Sequence, residues 1–204
     1  MSLPQKSAWK TRLVEGFPDR SFDIEFWQEQ GDEAIFSAAW ELVELAEEIS
    51  HGRKPTLEPL QLLNESQVEY LIVGGFAAMK YGEPRYTKDL DVWVHNSRQN
   101  SIRVVEALRN FGAPLEHDRI TAETFAEKQV VYQIGVAPVR IDILTELAGV
   151  EFSNAWKNRV PSSLFGIPVH FISLDDLVTN KRALGRSSDL RDLKQNREGA
   201  RSTK

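Results

Sequence analysis

YLIVGGFAAMKYGEPRYTKDLDVWV, Tyr70 to Val94, is the stretch on which the reading of this chain turns. It opens with Tyr70-Leu71-Ile72-Val73, an apolar run too short for anything but a buried strand. Gly74 and Gly75 break that strand, and Phe76 to Tyr81 reads as one or two helical turns. A polar connection from Gly82 to Lys88 leads into a second strand, Asp89 to His95. Alternation along a strand puts Asp89, Asp91 and Trp93 on one face and Leu90, Val92 and Val94 on the other. Two carboxylates held side by side repel each other, and a core gains nothing from them unless a cation or a proton sits between. Glycines at the mouth of a helix let backbone amides approach phosphate oxygens, and they equally serve a tight strand-to-helix turn. Strand, glycine pair, helix and Asp-x-Asp strand together form a phosphate-and-metal arrangement.

Working outward, Ile141-Asp142-Ile143 inside VRIDIL supplies a third carboxylate on another apolar strand. On neighbouring strands Asp89, Asp91 and Asp142 would share one open face of a sheet, a donor set suited to Mg²⁺, which takes a few carboxylate oxygens plus water and phosphate. Arg85, Thr87 and Lys88, just before the aspartates, are candidates for grounding phosphate through charge-assisted hydrogen bonds, or for an ordinary solvated loop. Lys181 and Arg182 fall on a late helix. The four histidines show no ligand spacing.

At 204 residues, with 41% hydrophobic and 27% charged residues, the chain has the make-up of a globular protein able to bury a sizeable core. The net charge of -5 gives no whole-chain footprint for nucleic acid, but it is uneven. Residues 21–60 are acidic and residues 181–204 basic. The absence of cysteine removes thiol catalysis and zinc-thiolate sites and fits a reducing compartment. With no apolar run near spanning length and no apolar leader, a cytoplasmic location and no membrane partner are expected.

Residues 1–54 read as an arm followed by an acidic helical appendage, the helix running from about Asp32 to Ser50 with Ile35, Phe36, Ala39, Trp40, Leu42, Val43 and Leu45-Ala46 at helical spacing. Residues 55–204 read as the main domain, with a boundary near Arg53-Lys54-Pro55. Within it, helices are expected over Leu57–Gln67, Asn96–Asn110 (Ile102, Val105, Leu108 and Phe111 on one face), Val150–Trp156, Leu174–Leu184 and Ser187 to about Arg197. Strand pairs are expected over Gln129–Ile134 with Val139–Thr145, and over Ser162–Ile172 around Gly166-Ile167-Pro168. Strands bracketed by helices mean an α/β (α+β) fold with a mixed central sheet.

The three motifs together resemble the nucleotidyltransferase superfamily of the DNA polymerase beta type: Gly74-Gly75, then thirteen residues, then Asp89-Leu90-Asp91-Val92, then Ile141-Asp142-Ile143. The nearer likeness is to its AbiEii-like bacterial branch, through Arg85-Tyr86-Thr87-Lys88-Asp89 and NKRALGRSSDLRDL, Asn180 to Leu193. More weakly, Phe22 to Glu48 resembles short bacterial proteins associated with such enzymes. The resemblance implies transfer of a nucleoside monophosphate from a nucleoside triphosphate to a hydroxyl, with two Mg²⁺ ions (Mn²⁺ as the substitute) on Asp89, Asp91 and Asp142. Asp142 would activate the acceptor through metal, and Lys181 occupies the place of a nucleotide-holding lysine. The family more often has Ser where Gly75 stands, so one phosphate contact is missing. Acceptors implied are an RNA such as tRNA, a protein hydroxyl or an antibiotic. An antitoxin-like partner, or a self-inhibited binding protein, is the alternative. The charge contrast between the ends of the chain suggests that the acidic helix restrains polyanion binding.

Overall fold

A computed structural model describes residues 21–51, 57–87, 89–136 and 139–185. The chain begins there with helices α1 (Ser21–Gln30), α2 (Asp32–His51) and α3 (Glu58–Glu65). Strand β1 (Tyr70–Ile72), helix α4 (Gly74–Lys80), strand β2 (Asp89–Val94) and helix α5 (Arg98–Phe111) follow. Next come α6 (Ala122–Ala126), β3 (Val131–Val136), β4 (Val139–Leu144) and α7 (Phe152–Lys157). β5 (Val160–Leu164), β6 (Ile167–Phe171) and α8 (Leu174–Leu184) complete the described part. The strands form one mixed sheet in the order β3-β4-β2-β1-β6-β5, so the α/β expectation holds.

The sheet is built from two hairpins and two parallel joins. β3 and β4 are antiparallel, as are β5 and β6, while β2 runs parallel to β4 and β1 parallel to β6. β1 and β2 pair antiparallel at the centre, with Ile72 opposite Val92. Both faces of β2 are covered, but not along its whole length. Leu90, Val92 and Val94 are buried on one face, and on the other Trp93 is only 1% exposed while Asp89 and Asp91 stay half-buried. The difference is α7. Phe152 packs edge-on against Trp93, with ring centroids 5.0 Å apart, and stacks on His95 at 4.8 Å, leaving the aspartate end of that face uncovered.

The flanking helices start and stop where their sequence directs. Ser97 caps α5 by accepting from the Asn100 amide, and Gly112 ends it at φ 84°, a left-handed conformation that glycine adopts without strain. Ser173 caps α8 in the same way through the Asp176 amide. Four expectations need correction. Ile102 is 53% exposed, because the inner face of α5 is centred on Ser101, Val104 and Leu108, and Ile102 lies a quarter-turn away. The β5–β6 turn is Phe165-Gly166, both with positive φ, so Ile167 and Pro168 belong to the strand; Pro168 is tolerated because it lies beyond the part of β6 that pairs with β1. Leu42 is 45% exposed, because the inner face of α2 is centred on Ile35, Phe36, Ala39 and Val43. Gln129 has φ 61°, so β3 begins at Val131 rather than at Gln129.

Helices α1 and α2 share the core of the sheet domain. Ile35, Phe36 and Ala39 belong to the same buried cluster as β1, β2 and β6, and Phe36 stacks on Phe171 at 5.3 Å. Asp32 pairs with Lys80 of α4, whose side chain is 9% exposed, and also accepts from Ser162 Oγ at 2.7 Å. Gln28 Nε2 donates to the carbonyls of Lys80 and Gly82, satisfying the end of α4. The arm before residue 21, the expected boundary near Arg53 and the helix beyond Ser187 lie outside the described residues.

A buried ammonium that loses its partner is costly, so Asp32→Ala should lower stability by about 3 kcal/mol. Adding Lys80→Met should recover more than half of that loss in urea denaturation. Equal losses in the single and double variants would make Asp32 an ordinary helix start.

Candidate active site

The aspartate end of the sheet face opens into a cleft of about 460 Å³ between the ends of β2 and β4, the start of α4, and α8. A larger hollow of about 790 Å³ lies across α5, but no member of the carboxylate set lines it. Convergence of chemistry favours the smaller one. Its polar lining includes Gly74, Gly75, Arg85, Asp89, Asp91, Asp142 and Lys181. Those seven residues come from four separate segments of the chain.

Register explains the meeting of the aspartates. Parallel pairing sets Asp91 directly beside Asp142, and Asp89 beside Arg140. Asp91 lies against the glycine turn: the Val73 amide donates to its carbonyl at 3.0 Å, and its carboxylate accepts from the Gly75 amide. Gly74 has φ 59°, and a Cβ there would fall 1.9 Å from Asp91 Oδ2. Glycine is therefore required twice at this position, by conformation and by space. At Gly75 a Cβ would fall 2.6 Å from Thr87 Oγ1. The space that a serine side chain would need is thus filled by Thr87, whose hydroxyl donates to Asp89 Oδ1 at 3.3 Å and lies 3.2 Å from its carbonyl. Thr87 stands behind the cleft wall rather than in its lining, and Lys88 lies outside the described residues.

Electrostatics single out Asp91. Burial pushes its carboxyl from the usual 3.8 up to about 6, the charges of Asp89 and Asp142 push the same way, and the Gly75 amide and Arg140 oppose them. Arg140 was not singled out in the sequence, yet it holds the other two carboxylates. Its Nε donates to Asp142 Oδ1 at 2.6 Å, and its Nη2 to Asp89 Oδ2 at 2.7 Å and Asp142 Oδ2 at 3.0 Å. Gln133 Nε2 adds a bond to Asp142 Oδ2 at 3.1 Å. The sequence carried the signal: Arg140 precedes Asp142 by two residues on a strand, so both share a face. Among the described residues, no three carboxylates or imidazoles already converge as a metal-ligand set.

The opposite wall comes from α8. Lys181 is 4% exposed and reaches the cleft, whereas its neighbour Arg182 is exposed to solvent. Asn180 fixes α8 by donating to the Ala148 carbonyl at 3.0 Å. Leu144, Leu147 and Leu177 give the cleft an apolar side, and Glu146 adds a fourth carboxylate. Among the described residues, nothing from α1 or α2 lines the cleft.

Residues 56–198 match the family model described as Nucleotidyltransferase of unknown function (DUF6036). The chain belongs to this family. The matched residues include the glycine pair, all three aspartates and α8. Comparison with curated proteins gives no match. No described helix is long and apolar enough to cross a membrane.

Two variants test the geometry. Gly74→Ala should displace the Asp91 carboxylate and weaken nucleotide binding at least ~30-fold, while costing about 1–2 kcal/mol in stability for the left-handed backbone. Binding titration on the folded variant checks it. For Asp91 the sign follows from its raised pKa. Folding penalises the ionised form, so stability is highest below the unfolded value near 4 and falls as pH rises through 6. Asp91→Asn should accordingly stabilise the metal-free protein by about 1–3 kcal/mol at pH 8, and the advantage should vanish below pH 4 in thermal melts.

Proposed function

We propose that the chain is a divalent-metal-dependent nucleotidyltransferase that moves a nucleoside monophosphate from a nucleoside triphosphate onto a hydroxyl. The acceptor oxygen would form a bond to the α-phosphorus, the bond to the bridging oxygen would break, and pyrophosphate would leave with the electron pair. The acceptor proton would pass to water or a cleft carboxylate. The observation that carries this reading is the register-paired Asp91 and Asp142, with Asp89 beside them, facing the Gly74-Gly75 turn across one cleft.

The donor set fits a hard cation. Burial first, and then the charges of Asp89 and Asp142, raise the pKa of Asp91, so positive charge among the three carboxylates is favoured, and their oxygens are the ligands that Mg²⁺ or Mn²⁺ prefers. A cation held by Asp89, Asp91 and Asp142 would polarise the attacking hydroxyl and neutralise charge on the phosphates. The chain itself supplies the rest. Lys181 and Arg85 offer cations to the phosphate oxygens, and the leucine wall offers an apolar surface to the nucleoside. Catalysis would rest on positioning and charge.

An RNA 3′ end is the acceptor that the surface favours. Tyr86, beside Arg85 in the chain, is an aromatic ring 43% exposed, a pairing suited to stacking a base next to a phosphate contact. That acceptor is consistent with the AbiEii-like resemblance and with a toxin–antitoxin role. A protein or antibiotic hydroxyl would use the same chemistry. The self-inhibited alternative draws on Arg140, which already donates to two of the three carboxylates.

Incubation with α-labelled nucleoside triphosphates, Mg²⁺ and total RNA should label an RNA band. Labelled protein instead would move the acceptor to a polypeptide, and no product with any acceptor would sink the transferase reading. Lys181→Ala should weaken triphosphate binding at least ~10-fold, about 1.4 kcal/mol, with Arg182→Ala near wild type. Equal effects would remove Lys181 from the site.

A further inference from the structure

We propose that Arg140 is an internal counter-cation that keeps the carboxylates closed to a free divalent ion and yields them when a triphosphate arrives with the metal. The inference rests on the metal-dependent reading above and adds a rule for how the site is filled. Arg140 takes three hydrogen bonds of 2.6 to 3.0 Å to Asp89 and Asp142, the two carboxylates that flank Asp91. Both oxygens of Asp142 are committed, since Oδ2 also accepts from Gln133. A cation entering alone must strip a planar fork that matches carboxylate geometry, with no other anion offered to the guanidinium in exchange.

A triphosphate changes that balance. Its oxygens are acceptors of the same kind, delivered into the same cleft, and Arg140 lines that cleft. The guanidinium can exchange carboxylate for phosphate while the metal takes the carboxylates. Space favours the exchange: across the sheet Arg140 faces Asp89 on one side and Gly135, which has no side chain, on the other. Arg140 is thus a positioning residue for the empty site and a phosphate ligand for the filled one. Free metal and metal–nucleotide then depend on it with opposite sign, which a purely structural role cannot produce.

The test uses the full chain and its Arg140→Gln variant, with folding checked by circular dichroism. Mn²⁺ binding is followed by the loss of the free-ion electron paramagnetic resonance signal. Binding of Mn²⁺ complexes of the four α,β-methylene ribonucleoside triphosphates is followed by calorimetry. Arg140→Gln should bind Mn²⁺ alone at least ~10-fold more tightly than wild type and the Mn²⁺–nucleotide complex at least ~10-fold more weakly. Arg140→Lys, which keeps the charge but cannot fork across two carboxylates, should show a smaller gain for Mn²⁺ alone. Unchanged or weaker Mn²⁺ binding in the glutamine variant overturns the proposal. If that variant does not fold, wild type decides: binding Mn²⁺ alone as tightly as the Mn²⁺–nucleotide complex overturns it, and binding only the complex supports it. Wild type that binds neither would fail the metal-dependent reading itself, which is a separate result from nucleotide binding without the exchange.

Discussion

Repulsion among three carboxylates on one sheet face is the constraint from which the rest of this structure follows. Asp89 and Asp91 sit two residues apart on β2, and the parallel register of β4 brings Asp142 beside Asp91. Left alone in a half-buried place, such a group would take up protons, and the raised pKa of Asp91 shows that pressure. The fold answers with donors: the Gly75 amide for Asp91, and Arg140 for Asp89 and Asp142. These neutralise the cluster without filling the cleft.

Holding that cluster in place demands rigidity in the glycine turn. Gly74 lies so close to the Asp91 carboxylate that any side chain there would displace it. The N-terminal helices supply that support from behind. Asp32 neutralises Lys80 at the end of α4, Gln28 closes its last carbonyls, and Phe36 lies against both Phe76 and Phe171. Over its described part the acidic helix is a wall of the core. Its leading charge is spent on a buried lysine.

Most of the architecture was legible in the chain. The alternation in β2 and the glycine pair that opens α4 are local signals, each acting through a few neighbouring residues. Local reading failed where the local pattern misled. Ile102 carries the right spacing for a core position, but the face of α5 is chosen by what lies beneath it.

The candidate site divides along the same line. By itself the sequence determined its ingredients: the glycines, the three aspartates, the cations Arg85 and Lys181, and the strand geometry that puts Asp89 with Asp91. Only the tertiary structure decided which of them meet. Strand order and register set Asp142 opposite Asp91, turned Arg140 from a residue in a hydrophobic motif into the partner of two carboxylates, and placed the Thr87 hydroxyl over Gly75. The same step separated Lys181, facing the cleft, from Arg182, facing water. Pairing register and helix rotation are fixed by contacts between segments far apart in the chain, and no local pattern carries that information.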